Sequence, residues 1–163
     1  MKSALLTKEI VEEAITILRP SIEEFMRKHK YVALAIVVLD PLADPKADEF
    51  IVWEGVIGEQ DKSKWPDNDR FDYNAREKAL ISFRTGLPSH AVQRLYPHLY
   101  KESDFKYGGS SVFEKIITGS SGFDQNHDLM WSNAVSAVCH GLCMYACDQQ
   151  LMGENKYITA PKS

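Results

Sequence analysis

The stretch Tyr107-Gly108-Gly109-Ser110-Ser111, then Val112 to Thr118, then Gly119-Ser120-Ser121-Gly122-Phe123 decides how this chain is read. Two clusters of small residues bracket a run of strand character, and a long apolar segment follows at once. Glycine carries no Cβ, so a ligand or another stretch of backbone can come close. Serine adds a hydroxyl that donates or accepts a hydrogen bond. The segment therefore either lines a pocket or makes two ordinary turns around a strand, since Gly and Ser are common turn residues. Both readings stay open at this level.

On the C-terminal side, Asp124 or Asn126 is placed to cap a last helix that runs to about Leu151. Trp131, Val135, Cys139, Cys143, Cys147 and Leu151 recur at steps of four, which on a helix is one slowly drifting stripe. Free cysteine behaves there as a small buried hydrophobe. Three thiols on one helix cannot surround an ion, so zinc is rejected and no metal is expected. Leu129, Met130, Ala134, Ala137, Val138, Leu142, Met144, Tyr145 and Ala146 extend the apolar character well beyond the stripe. A helix apolar on most sides is buried on most sides. The expectation is packing against the sheet and against another subunit, hence a homo-oligomer. His140 shares a face with Asn133, Ser136 and Asp148 and is expected to point to solvent.

On the N-terminal side, Thr7 is placed to cap a helix over Lys8–His29, with Val11, Ala14, Ile15, Leu18, Ile22, Phe25 and Met26 on one face. Pro20 within it predicts a kink or a break. Tyr31 to Leu39 reads as a buried strand and Glu49–Val56 as a second, joined by a long acidic loop. Gly58 to Arg70 is a charged loop containing Trp65-Pro66. Asp72 is expected to cap a helix to Thr85, with Ala75, Ala79, Leu80 and Phe83 apolar, Gly86 as its left-handed stop and Pro88 beyond. A short helix starts at Ser89. The order is helix, two strands, helix, strands, helix. That is an α+β layered domain, not an alternating parallel α/β unit. It is expected to fill residues 1–152, with a polar tail over 153–163.

With 163 residues, 44% apolar and 26% charged, the chain suits one globular domain. A formal charge of −4 without a basic stripe argues against nucleic acid as a partner. No run reaches membrane-spanning length, and the first residues lack a signal-peptide apolar stretch. Three cysteines in one segment do not look like a disulfide framework. A reducing, cytoplasmic setting is expected.

Catalytic signatures are sparse. No Gly-x-Ser-x-Gly elbow, Walker loop or dinucleotide fingerprint is present. Gly119 to Gly122 runs into a helix N-terminus, whose free amides can hold a carboxylate or phosphate. Of the histidines, His98 sits among aromatics in a loop, and His127 lies in the first turn of the last helix beside the Gly-Ser cluster.

Set in order, Ala75-x-x-Lys78-Ala79, Arg84-Thr85-Gly86-Leu87-Pro88-Ser89, Gly108-Gly109, Thr118-Gly119-Ser120-Ser121-Gly122, Asp128 and Ala134 resemble the GlcG/HbpS-like family. That family includes the C-terminal domain of the PduO adenosyltransferases. The strand Ala35 to Asp40 also fits the family's first strand. The resemblance spans about Thr7 to Leu151. It implies an antiparallel sheet of about five strands packed with helices, similar to profilin-like domains, in homo-oligomers. Several relatives bind haem, so haem is the cofactor it implies. Ser111 stands where the family often has a proline.

Two functions follow as expectations. One is a haem-binding or haem-handling protein with its pocket at Gly108, Gly109, Ser110, Gly119, Ser120, Ser121 and Gly122. There Lys78 and Arg84 would pair with propionates, and His98 or His127 is the axial-ligand candidate. The other is a non-catalytic oligomeric module for a different small acid or a protein partner. Catalytic residues are not identified by the sequence.

Overall fold

The structure, a computed structural model, describes residues 6–40, 42, 50–66 and 69–151. The elements are α1 (Lys8–His29), β1 (Ala33–Leu39), β2 (Ile51–Gly58), α2 (Phe71–Thr85), α3 (Ser89–Leu95), β3 (Ser110–Phe113), β4 (Ile116–Ser121) and α4 (Gln125–Leu151). The expected acidic loop over 41–48 (apart from Leu42), Glu49 at the start of the expected second strand, and the tail over 153–163 lie outside the described residues.

The α+β architecture is as expected, with one difference in count. The described residues form a four-stranded antiparallel sheet in the order β2-β1-β4-β3, where about five strands were expected. The region after Gly109 supplies only the short β3 and β4, joined by a tight turn through Glu114 and Lys115, both at positive φ. That is the twist a two-residue hairpin loop requires.

Strand β1 sits at the centre and is buried along its whole length. Its side chains alternate between two cores, as a pleated strand covered on both faces must. Leu34, Ile36 and Val38 face α1 and α4, in a core with Val11, Ile22, Val135 and Cys139. Ala33, Ala35, Val37 and Leu39 face α2, with Phe71, Ala75, Ala79 and Trp65. The layers are therefore α1 and α4, the sheet, and α2. Cys139 and Cys143 are core residues of the first layer, and burial pushes the Cys139 thiol up to about 12.

Three local expectations need correction. Pro20 does not break α1, which is continuous from Lys8 to His29. Its ring lies on the exposed side, where water can satisfy the carbonyl that loses its amide partner. Asp72 is not the cap of α2: the helix starts at Phe71 after Arg70, and Asp72 in its first turn pairs with Lys62 instead. Ser136 does not share a solvent face with His140. Its hydroxyl is buried against Thr118 Oγ1 at 2.7 Å and Ser111 Oγ at 3.1 Å, and His140 is half-buried, its ring edge-on to Phe113. Thr7 and Gly86 act as expected, as the N-cap of α1 and the left-handed stop of α2.

The Gly-Ser bracket is what lets two helices close on β3 and β4. Gly119 faces α2, and a Cβ there would stand 2.2 Å from the Ala75 carbonyl oxygen and 2.8 Å from Ala79 Cβ. On the α4 side the small residues are hydroxylic and bond one another. Ser120 Oγ donates to the Asp128 carbonyl at 2.7 Å and lies 2.8 Å from Ser132 Oγ. Ser132 Oγ donates to the Gly109 carbonyl at 2.6 Å. Buried hydroxyls paired in this way escape the desolvation cost of an unmet polar group. Gly119→Ala is accordingly expected to lower stability by about 2 kcal/mol or more through overpacking. The shift of the urea midpoint measures it, and an unchanged midpoint contradicts the close α2–β4 contact.

Candidate functional site

Where β4 ends and α4 begins, the fold leaves a cavity of about 590 Å³. One wall is the β4–α4 junction, Ser121 to Gln125 with Asp128, together with Tyr31. The opposite wall comes from α2 and the residues before it: Pro66, Asp69, Phe71, Asn74 and Lys78. Phe105 and Tyr107, from the loop before β3, close a third side. Strand ends and helix starts meet at such places, so loops from distant parts of the chain converge there.

At its floor lies a buried ion pair. Lys78 Nζ is 2.8 Å from Asp128 Oδ2, and each side chain is only 2% exposed. The same ammonium donates to the Ser120 carbonyl at 3.0 Å and stands 5.6 Å from the centre of the Phe105 ring. Asp128 Oδ1 accepts the Phe123 amide at 3.0 Å. Gly109, at φ +136°, is required beside this pair: a Cβ there would meet Lys78 Nζ at 2.8 Å and Asp128 Cβ at 2.9 Å. Burial pushes the Asp128 carboxyl up to about 6, against the pull of Lys78 and the Phe123 amide. Burial also pushes the Lys78 ammonium down, against the attraction of Asp128.

The entry into α4 is tied to Tyr31 and to Asp124. Asp124 N–H donates to Tyr31 Oη at 3.1 Å, and Asn126 N–H donates to Asp124 Oδ1 at 2.9 Å. Tyr31 Oη lies 2.8 Å from His127 Nδ1. Because the Asp124 amide can only donate, the phenol accepts it and is free to give its own proton to His127 Nδ1. His127 packs among Phe25, His29 and Tyr31 and is not part of the cavity wall.

Of the residues singled out in the sequence, Lys78, Ser121 and Gly122 line the cavity, and Gly109 backs the Lys78–Asp128 pair. Ser110, Gly119 and Ser120 are sealed between β3, β4 and the helices. Gly108 lies against His90, and its N–H donates to Gln125 Oε1 at 2.9 Å. Arg84 is held away from the cavity by Asp104 Oδ2 at 2.6 Å and the Leu99 carbonyl at 3.1 Å. His98 is exposed beside Tyr96 and does not line the cavity. Sequence reasoning missed Phe71, Phe105 and Asp69 as wall residues, and Asp128 as the partner of Lys78. Only Asp128 had a usable signal: a lysine between Ala75 and Ala79, on a buried face, needs a carboxylate.

No family model matches the chain, and no curated protein matches it. Among solved structures, the crystal structure of the Ybr137w protein is similar, with a TM-score of 0.57 and 15% identity over 82% of this chain and 78% of that chain. At that identity the likeness shows the fold.

The raised Asp128 carboxyl sets a pH dependence. Its folded value of about 6 lies above the unfolded 3.8, so between the two the folded state binds more protons. Stability carried by this group is present below the unfolded value and is lost as pH rises through about 6. Urea unfolding across that window is expected to show this falling component in the wild type. In Asp128→Asn it disappears. An identical pH slope in both proteins contradicts the burial of this carboxylate.

Proposed function

We propose that this chain is a small-molecule binding module of the GlcG/HbpS-like type, with its ligand in the cavity above Lys78 and Asp128. The cavity itself carries the reading. Its volume, about 590 Å³, falls among ligand pockets, and it combines aromatic walls with a few fixed polar groups. Among its described lining residues there is no histidine or cysteine, and the lining hydroxyl that meets a base, Tyr31 Oη at 2.8 Å from His127 Nδ1, also accepts the Asp124 amide.

Haem, which the resemblance implies, fits these residues poorly. Propionates need cations, yet the one cationic side chain among the described lining residues, Lys78, is already bonded to Asp128. Arg84 is bonded to Asp104, and neither His98 nor His127 lines the cavity. Tyr31 does line it, but its oxygen is shared between the Asp124 amide and His127.

A thermal-shift screen of small metabolites and haemin, followed by calorimetry, tests the reading. The expected result is a ligand that raises the melting temperature with one-to-one stoichiometry and whose affinity falls about tenfold in Phe105→Ala, which removes an aromatic contact. A screen without any stabilising ligand overturns it. Haemin is expected to give no saturable Soret shift; a one-to-one shift lost in His127→Ala restores the haem reading.

The same reading includes a homo-oligomer joined through α4. Support comes from Met130, Met144 and Tyr145, which remain 42%, 48% and 67% exposed on that helix. Cys139, Cys143 and Cys147 are not joined in disulfides, which supports a reducing, cytoplasmic setting. No helix among the described residues is long and apolar enough to cross a membrane. Sedimentation at micromolar concentration is expected to show a species heavier than the 18.5 kDa chain, and a monomer contradicts the proposal.

A further inference from the structure

We infer that the cavity takes an organic cation, an amine or quaternary ammonium carried on a small aromatic or apolar body. This rests on the binding reading above and names its ligand class. The charged groups on the wall are Lys78, Asp69, Asp124 and Asp128. Lys78 and Asp128 neutralise each other at 2.8 Å. Asp69 and Asp124 remain, and neither forms a salt bridge with a described residue. The residual charge that an entering ligand meets is therefore negative.

Several of the donors that an anion would need are already engaged. A helix N-terminus normally offers free amides to an anion. Here the Phe123 amide is bonded to Asp128 Oδ1, the Asp124 amide to Tyr31 Oη, and the Asn126 amide to Asp124 Oδ1. The Lys78 ammonium has three N–H groups, of which Asp128 and the Ser120 carbonyl take two. A carboxylate or phosphate ligand would compete for the remaining one, next to Asp128 and within a wall that carries two more carboxylates.

Cations, by contrast, find matched walls. Phe71, Phe105, Tyr107, Phe123 and Tyr31 supply ring faces and edges. A cation over an aromatic face is attracted by the ring quadrupole, most strongly where water is excluded. The Phe105 ring already stands 5.6 Å from one ammonium, that of Lys78. Asp69 and Asp124 then provide the long-range attraction, and the rings provide the fit. The earlier expectation of a small acidic ligand is replaced by one of opposite sign.

Calorimetry with benzylamine, benzyl alcohol and phenylacetate tests this, because the three probes share a body and differ in charge. Benzylamine is expected to bind about tenfold tighter than benzyl alcohol, with its advantage shrinking as salt is raised. Phenylacetate is expected to bind more weakly than either. Asp69→Asn, at an exposed position outside the ion pairs, should cut the benzylamine advantage about threefold and leave benzyl alcohol unchanged. If benzyl alcohol or phenylacetate binds as tightly as benzylamine, the inferred charge preference is overturned while the binding module stands. If none of the three binds, the inference is overturned, and the metabolite screen alone then decides whether the cavity binds anything.

Discussion

The bond between Lys78 and Asp128 joins the helices on opposite faces of the sheet. Lys78 comes from α2 and Asp128 from the start of α4, and both are 2% exposed. Two charges removed from water this far are tolerated only if their remaining donors and acceptors are met. Here they are largely met by the Ser120 carbonyl and the Phe123 amide. Those two groups belong to the end of β4 and the entry into α4. One ion pair thus fixes where the strand stops, where the last helix starts and how α2 approaches both. The cavity lies directly above it because the chain segments it ties together diverge from that point.

Small residues make the bond possible. Gly109 leaves the space that Lys78 Nζ and Asp128 Cβ occupy, and Gly119 lets the α2 backbone touch β4. Ser111, Thr118, Ser120, Ser132 and Ser136 then fill the α4 side with hydroxyls that satisfy one another. Larger apolar residues on β3 and β4 would hold both helices further away and separate the ion pair. Most of the Gly-Ser bracket is therefore packing, and only Ser121 and Gly122 of it reach the cavity wall.

Much of the fold was legible because its signals are local. Apolar spacing marked α1 and α4, Thr7 and Gly86 marked helix ends, and the unbroken apolar run up to Leu39 marked the central strand. Pro20 misled because the cost of an internal proline depends on whether the freed carbonyl sees water, which spacing does not show. Ser136 misled because a hydroxyl counts as polar in any pattern, yet here it bonds Thr118 and Ser111 inside the protein. The site was less legible than the fold. Lys78 entered through the Ala-x-x-Lys-Ala pattern of the resemblance, but Asp69 and Phe105 come from two other loops and share no period or motif with it. Arg84 and His98 looked suited to a ligand in sequence; Arg84 is spent on Asp104, and His98 lies exposed outside the cavity.

A double-mutant cycle between Lys78→Met and Asp128→Leu tests most directly whether this bond organises the site. Each single change leaves a buried charge without its partner, whereas the double change removes both. The account predicts that the two losses of stability are far from additive, with a coupling of about 2 kcal/mol or more. Additive losses, with a coupling within about 0.5 kcal/mol of zero, would mean that Lys78 and Asp128 contribute independently, and would contradict it.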